Sequence, residues 1–326
     1  MISVDFEGEP LALNEGETVL DCIERHGHSV TSSCRSGVCQ SCLMHCEAGQ
    51  LPPAATAGLG AAQRAQGYFL SCMCRPAAPL RVARIDPARL QVSGTVAQVQ
   101  VLGARVQSLT VMLDRPMDFF AGQFFNLILE DGTLRSYSAA APPNDKGTVT
   151  FHIGILPGGK FSTWASEQAQ VGSRLRVQGP LGKCCYVPGV ESHRPLLLAG
   201  TGTGLAPLLG IALAAIADQH PGSIHLFHGA LDPAGLYLHD ELTRLAQEHA
   251  QLHYHPCALN GECEGVHTGN LQDRVFAHLP SLAGHQVYLC GHPDFVKAMQ
   301  RKCFLAGASL PDIHADAFLP SQSTKP

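Results

Sequence analysis

The stretch SSCRSGVCQSC, residues 32–42, holds three cysteines in C-x4-C-x2-C spacing: Cys34, Cys39 and Cys42. A further cysteine, Cys72, follows downstream in GYFLSCMC. In 2Fe–2S sites of this spacing, one loop supplies three thiolates and a distant segment supplies the fourth. Gly37 allows the backbone of such a loop to pass close to the metal. The pattern therefore predicts a 2Fe–2S cluster bound by these four cysteines.

The alternatives are a zinc site or buried structural cysteines. Zinc sites usually use paired C-x2-C units, and only one such unit occurs in this region. The residues alone leave the fourth ligand open, because Cys46 and Cys74 lie close by. The segment resembles a plant-type ferredoxin domain, in which Leu-x-Cys ends the cluster motif, and Leu70-Ser71-Cys72 fits that pattern. We therefore assign Cys72 to the cluster and expect the other nearby cysteines to be core residues: Cys22, Cys46 and Cys74.

The composition narrows the class of protein. The chain has 326 residues, enough for two or three domains, with 45% hydrophobic and 15% charged residues, as in globular proteins. Its net charge of −5 argues against nucleic acid as a partner. The 13 cysteines are an odd number, which favours free thiols or metal ligands over a disulfide framework. The first residues, MISVDFEGEP, lack the features of a signal peptide, so we expect a cytoplasmic protein.

One uncharged stretch, residues 195–217, is long enough to span a bilayer. Four glycines and Pro207 interrupt it. A buried strand, a glycine turn and a buried helix explain this pattern better. We therefore expect no membrane insertion.

Three segments with different sequence patterns predict a multidomain α+β and α/β protein. Residues 1–87 contain the cysteine groups and a short helix near 18–26. Residues 88–190 contain short β-rich runs, as in an antiparallel β-barrel: VSGTVAQVQVLG, SLTVMLD, QFFNLILE and TVTFHIGIL. In residues 191–326, apolar strands alternate with helical stretches, as in a parallel α/β sheet: PLLLAG, SIHLFHG and QVYLCG. Three prolines indicate a linker after the first segment: Pro76, Pro79 and Pro87.

The middle segment has the residue types that a flavin requires. The run Arg135-Ser136-Tyr137-Ser138 offers a cation for the pyrophosphate, an aromatic face for the ring and, in Ser138, a hydroxyl near N5. The turn at Gly158-Gly159 exposes backbone N–H groups to phosphate oxygens, and Lys160 and Ser162 add a charge and a hydroxyl. FAD and FMN both fit these residues.

The last segment has a glycine-rich turn between a strand and a helix, LLLAGTGTGLAP at 196–207. Its glycines allow a pyrophosphate to approach the helix N-terminus, although the spacing differs from G-x-G-x-x-G. The candidate residues in this turn are Gly202, Thr203, Gly204 and Pro207. Near the C-terminus, VYLCGHPDFV places Cys290 and Gly291 at the end of another strand, where open α/β sheets bind ligands.

In combination these motifs resemble the ferredoxin–NADP reductase superfamily over nearly the whole chain. Its R-x-Y-S strand and G-x-x-S turn match the flavin residues, and its G-T-G-x-A-P and C-G-x-P motifs match the nicotinamide residues. With the N-terminal segment, the chain resembles the reductase component of bacterial ring-hydroxylating or soluble mono-oxygenases. The resemblance implies a β-grasp ferredoxin domain, FAD as the flavin, Cys290 near the nicotinamide C4, and Phe318 as a shield for the flavin ring. A packing role for Phe318 stays open.

The predicted function is an NADH-dependent electron transferase. Hydride would pass to the flavin along a path framed by Ser138 and Cys290, and electrons would leave through the cluster to a protein partner such as an oxygenase component. We expect the chain to act as a monomer. The alternatives are a reductase for a deoxysugar dehydratase, and a non-enzymatic redox sensor or scaffold on the same fold.

The sequence also predicts NADH rather than NADPH. Recognition of the 2′-phosphate requires a cation after the second strand of the nucleotide domain, and no Lys or Arg occurs from 195 through 243. Asp232 lies at that position and could accept from the ribose hydroxyls. Arg244 or Arg301 could still supply a cation, and Asp232 could be an ordinary turn residue.

Overall fold

The computed structural model describes residues 2–85, 90–190 and 193–318. The chain divides into two compact units, Met1–Leu90 and Gln91–Pro326. The predicted domain boundary at 87/88 lies outside the described residues. The predicted boundary at 190/191 adjoins residues 191 and 192, which are also not described. Both boundaries therefore stay predictions.

The first unit contains a mixed sheet and two short helices. Its strands are β1 (Ser3–Phe6), β2 (Glu9–Ala12), β3 (Leu43–Ala48), β4 (Tyr68–Leu70) and β5 (Leu80–Arg84), and its helices are α1 (Val19–Arg25) and α2 (Ala61–Ala65). The strand order is β2-β1-β5-β3-β4, and β1 pairs with β5 in parallel. Helix α1 begins after Thr18, whose side chain accepts from the Asp21 N–H at 3.1 Å. A helix packed on such a sheet is the predicted β-grasp arrangement.

The linker predicted from Pro76 and Pro79 is wrong. Strand β5 begins directly after Pro79 and lies between β1 and β3 in the sheet. Its Leu80 and Val82 are buried in the core of this unit. Because both prolines precede the strand, they remove no hydrogen bond from it. The third proline, Pro87, lies outside the described residues.

The predicted antiparallel barrel is confirmed. Its strands are β6 (Gln91–Gly103), β7 (Val106–Leu113), β8 (Phe124–Ile128), β9 (Leu134–Ser138), β10 (Thr148–Gly154) and β11 (Arg174–Leu181). They pair in the order β10-β7-β6-β11-β8-β9, and a bridge from Ala139 to Phe151 joins the two ends. Alternate residues such as Phe125 and Val177 fill the interior. Helix α3 (Lys160–Glu167) follows β10.

The nucleotide domain is a six-stranded parallel sheet with helices on both faces. Its strands are β12 (Leu196–Thr201), β13 (Ile224–Ala230), β14 (Leu252–Ala258), β15 (His267–Thr268), β16 (Gln286–Gly291) and β17 (Ile313–Ala317), in the order β15-β14-β13-β12-β16-β17. Its helices are α4 (Leu205–Ala217), α5 (His239–Glu248), α6 (Leu271–His278) and α7 (Pro293–Leu305). Helices α4 and α5 contribute to one hydrophobic core, and α6 and α7 to the other.

Residues 195–217 fold as predicted into β12, a 3-10 turn at Gly202–Gly204 and α4. Among the described residues, no helix combines the length and the apolar character needed to cross a membrane. Instead, α4 packs against the barrel. A Cβ at Gly210 would lie 2.8 Å from the carbonyl oxygen of Ala139, just after β9. Glycine at this position therefore allows the nucleotide domain to lie close to the predicted flavin strand.

Candidate functional site

The four predicted cluster cysteines lie on the loop between α1 and β3 and on a 3-10 turn, Ser71–Met73, after β4. The Sγ atoms of Cys42 and Cys72 are 3.2 Å apart. The N–H of Cys39 donates to the Sγ of Cys34 at 3.3 Å, and the N–H of Cys34 donates to the Sγ of Cys39 at 3.5 Å. Two neighbouring pairs of thiols fit the ligand set of a 2Fe–2S cluster.

The loop also favours the thiolate form in which cysteine binds metal. A hydrogen bond with the side chain of Ser36, followed by backbone N–H groups, lowers the pKa of Cys34 to about 5. The hydroxyl of Ser41 lowers the pKa of Cys39. Burial has the opposite effect on Cys72 and raises its pKa to about 11. The N–H donors around the sulfurs are groups of the kind that tune a bound cluster.

The alternative ligands lie elsewhere. Cys74 is fully buried in a core cluster with Cys22, and burial raises the pKa of Cys74 to about 12. The thiol of Cys46 donates to the carbonyl of Ala48 at 3.4 Å. The structure thus brings Cys72, rather than Cys74, next to Cys42. The assignment of Cys72 as a ligand stays a prediction.

The predicted flavin residues lie on β9, where they divide between two faces. Arg135 and Tyr137 are partly exposed, whereas Ser138 is buried. The Tyr137 ring lies 5.0 Å from that of Phe161, and burial raises the pKa of Tyr137. Strand β9 therefore offers a charged and aromatic face on one side and a single buried hydroxyl at its end.

The glycine turn after β10 leads into α3. Gly159 is the N-cap of this helix, and no side chain caps it, which leaves N–H groups of the first turn available to a phosphate. Lys160 is exposed at the first helical position. The Ser162 hydroxyl is engaged within the turn, where it accepts from the Leu156 N–H at 3.2 Å. Its hydrogen bonds indicate that Ser162 stabilises the turn. The uncapped helix end and the Tyr137 face fit a flavin.

The turn at 202–204 lies at the carboxyl end of β12. Gly202 has φ +55°, and a Cβ there would meet nothing within 4 Å. A Cβ at Gly204 would overlap the Cys290 carbonyl and lie 2.8 Å from the N of Gly291. Thr203 lies between these glycines, and Pro207 is buried within the first turn of α4, which has no side-chain cap. The turn thus exposes a helix N-terminus beside the end of β16, which fits a dinucleotide pyrophosphate.

Ser138 and Cys290 are linked through an aspartate. The hydroxyl of Ser138 donates to Oδ2 of Asp316 at 3.1 Å, and Asp316 is the register partner of Cys290 between β17 and β16. The thiols of Cys290 and Cys184 lie 3.6 Å apart. Burial raises the pKa of both Asp316 and Cys290. This group of side chains is therefore compact, with Ser138, Cys184 and Cys290 buried and Asp316 partly buried.

Phe318 and His292, which lie near the side chains of Ser138 and Cys290, make contacts that stabilise the fold. The N–H of Phe318 donates to the carbonyl of Gly291 at 2.8 Å, which fixes the chain after β17 against the end of β16. His292 is the N-cap of α7, and its Nδ1 accepts from the Asp294 N–H at 3.3 Å. Its own N–H donates to the Thr201 hydroxyl at 3.2 Å.

The predicted coenzyme-selecting residue, Asp232, is exposed just beyond the carboxyl end of β13. Its Oδ1 accepts from the Gly235 N–H at 3.0 Å and caps a 3-10 turn. Arg244 is 3.8 Å from Glu248 and forms an ion pair with it. Asp232 therefore acts as a turn residue, and its contact with the ribose stays a prediction.

Sequence reasoning missed Asp316, Cys184 and Thr201. Asp316 lies two residues before Phe318 in HADAF, so its position on a strand that ends at the site was an available signal. Cys184 has no spacing motif. Only the packing of the segment after β11 against β16 brings it to Cys290.

Three domain models match the chain. A 2Fe-2S iron-sulfur cluster binding domain matches residues 4–77, an oxidoreductase FAD-binding domain matches 93–186, and an oxidoreductase NAD-binding domain matches 198–301. Together with the fold, these matches define an oxidoreductase with domains for a 2Fe–2S cluster, FAD and NAD. FAD and FMN both fit the residues, and the match to an FAD-binding domain supports FAD.

Full-length relatives are also similar. The ferredoxin–NAD(P)+ reductase component of naphthalene 1,2-dioxygenase/salicylate 5-hydroxylase systems from Ralstonia sp is 32% identical, over 96% of this chain and 98% of that protein. The corresponding component of the Pseudomonas putida naphthalene 1,2-dioxygenase system is 31% identical, over 95% and 96%. The crystal structure of an Amycolatopsis cytochrome P450 reductase has a TM-score of 0.67 at 28% identity, covering 98% of this chain and 99% of that one. This chain belongs to the family of ferredoxin–NAD(P)+ reductase components.

The thiol geometry predicts different outcomes for two neighbouring cysteines. Cys72→Ser should remove nearly all iron and the visible absorption of the cluster, because Cys72 is the thiol beside Cys42. Cys74→Ser should keep both, because Cys74 lies in the hydrophobic core. Iron analysis and visible spectra of purified protein measure the effect, and Cys46→Ser is the matched control. Loss of the cluster in the Cys74 variant alone would refute the assignment.

Proposed function

We propose that this protein takes electrons from NADH and delivers them through FAD and a 2Fe–2S cluster to an oxygenase component. Bound FAD would supply the chemistry that couples a two-electron hydride donor to one-electron acceptors. The observation that carries this proposal is the 3.1 Å hydrogen bond from Ser138 to Asp316, which joins the flavin strand to the nucleotide domain. The acceptor follows from the relatives, which are named as components of dioxygenase and hydroxylase systems.

The residues would divide the work as follows. The cluster ligands would be Cys34, Cys39, Cys42 and Cys72. The flavin contacts would be Arg135, Tyr137, Ser138, Gly159, Lys160 and Phe318, with Ser162 holding the phosphate turn. The dinucleotide contacts would be Gly202, Thr203, Gly204, Pro207, Asp232, Cys290 and Gly291.

At the site of hydride transfer, the protein side chains would mainly position the nicotinamide and the flavin and exclude water. The thiol of Cys290 is fully buried and its pKa is raised, so it stays neutral at pH 7 and leaves no charge beside the nicotinamide. The hydroxyl of Ser138 is held in one orientation by Asp316. Neither group needs to act as a strong acid or base, because hydride transfer itself moves no proton to the protein.

The two electron steps can be separated experimentally. Cys72→Ser should abolish NADH-dependent reduction of cytochrome c, because one-electron delivery needs the cluster, and should leave NADH–ferricyanide activity largely intact. Both rates are measured with FAD content fixed, and Cys46→Ser should retain both. If both activities vanish in Cys72→Ser while FAD remains bound, the proposed order of transfer is wrong.

We also propose that NADH is preferred over NADPH because Asp232 would repel a 2′-phosphate. Asp232→Arg should raise kcat/KM for NADPH relative to NADH by about 10- to 100-fold, since hydrogen bonds to charged groups contribute about 1.5–3 kcal/mol. Asp232→Asn, which keeps an acceptor for the Gly235 N–H, should give a smaller increase. Ferricyanide kinetics with both coenzymes provide the readout, and Glu241→Arg is the control for net charge. Equal or higher efficiency of the wild type with NADPH would contradict the proposal.

A further inference from the structure

A group of histidines lies on the α6-covered face of the nucleotide domain. His225 is the second residue of β13, and its register partner on β14 is His253. His255 is the partner of Phe227, so these side chains share one face of the sheet. His278 is the last residue of α6, which packs on that face through Leu271 and Val275. Three of these histidines each offer a ring nitrogen within 4.8 Å of the other two: His225, His255 and His278.

We propose that these three histidines form a binding site for a divalent transition metal of the zinc class. The Nδ1 of His225 and the Nε2 of His255 are 3.2 Å apart. Two imidazole nitrogens on one tetrahedral zinc ion, with bonds of about 2.0–2.1 Å, are about 3.3 Å apart. This pair therefore already has the spacing of two ligands, and the exposed His278 offers a ring nitrogen within 4.8 Å of both as the third.

The surroundings hold the two inner rings in place. Phe227 stacks on His255 at 4.2 Å, and His253 stacks on His225 at 4.7 Å. The hydrogen bond between His225 and His255 requires one ring to donate and the other to accept. A bound metal would replace it when the donor ring moves its proton to its other nitrogen, so no proton need be released.

The ligand atoms of the site select the kind of cation. Both inner rings, those of His225 and His255, are partly buried. The 3.2 Å hydrogen bond between their nitrogens requires one of them to accept, so that ring is in the neutral form that binds metal. Arg274, one turn before His278 on α6, adds positive charge near His255. The guanidinium opposes every cation alike, but uncharged imidazole nitrogens suit zinc, nickel or copper, whereas calcium and magnesium prefer oxygen ligands.

The site is separate from the proposed redox path. His225 precedes Ala230, the last residue of β13, by five residues, or about 16 Å at 3.3 Å per residue. The nucleotide turn lies at the carboxyl ends of the strands, whereas this site lies toward their amino ends. The metal would tie α6 to β13 and β14 and leave NADH binding unchanged.

The test uses Zn²⁺ alone with the untagged, cluster-loaded full chain. Equilibrium dialysis with metal analysis should show one tight zinc per chain. His225→Gln, His255→Gln and His278→Gln should each weaken it by at least about tenfold, because loss of a supporting partner alone costs 10- to 100-fold. His267→Gln, another exposed histidine of the same domain, should leave it unchanged. Because His278 is exposed, its variant should fold normally, and circular dichroism checks this.

X-ray absorption at the zinc edge identifies the ligands. Histidine ligation gives Zn–N distances of about 2.0–2.1 Å, whereas cysteine ligation gives Zn–S distances of about 2.3 Å. Nitrogen-only ligation together with unchanged NADH–ferricyanide kinetics is the expected result. Absent binding, equal affinity in all variants, sulfur ligation or inhibition by the first equivalent of zinc would each overturn the proposal.

Discussion

The close approach of Gly204 to the Cys290–Gly291 peptide is the constraint on which the second unit, Gln91–Pro326, depends. Any side chain at this position would overlap the Cys290 carbonyl and displace the start of α4 from the end of β16. Because the two elements stay in contact, an uncapped helix N-terminus and the Cys290 thiol lie at the same edge of the sheet. Glycine at 210 extends the same contact to the barrel, next to the end of β9. The predicted flavin strand and the predicted nucleotide turn thereby lie close to each other.

Inside that site, buried polar groups satisfy each other. Leaving the partly buried carboxyl of Asp316 unpaired would cost free energy, and the hydroxyl of Ser138 supplies its partner. The same bond joins the C-terminal strand, β17, to the barrel. In the first unit, the loop between α1 and β3 satisfies polar atoms with its own backbone: N–H groups of this loop donate to the sulfurs of Cys34 and Cys39.

Local sequence motifs made much of the fold and of the candidate site predictable. The cysteine spacing, the glycine turn at 202–204 and the periodicity of 195–217 each reflect a constraint within a few residues, and the domain matches and the fold agree with what they predicted. Contacts between distant segments were not predictable in this way. Asp316 reaches Ser138 only because β17 pairs with β16. Strand β5 was mistaken for a linker because prolines precede it, and its place in the sheet depends on pairing with β1 and β3. The histidine group is likewise invisible until β13, β14 and α6 come together.

The central claim is that one chain carries electrons from NADH to FAD and then to the cluster. Anaerobic rapid mixing of the holoprotein with NADH tests it most directly, with flavin absorption and the electron paramagnetic resonance signal of the reduced cluster followed in time. The account predicts that flavin absorption falls first and that the cluster signal rises afterwards in the same molecules. A cluster signal that precedes the loss of flavin absorption, or that never appears while the flavin is reduced, would contradict it.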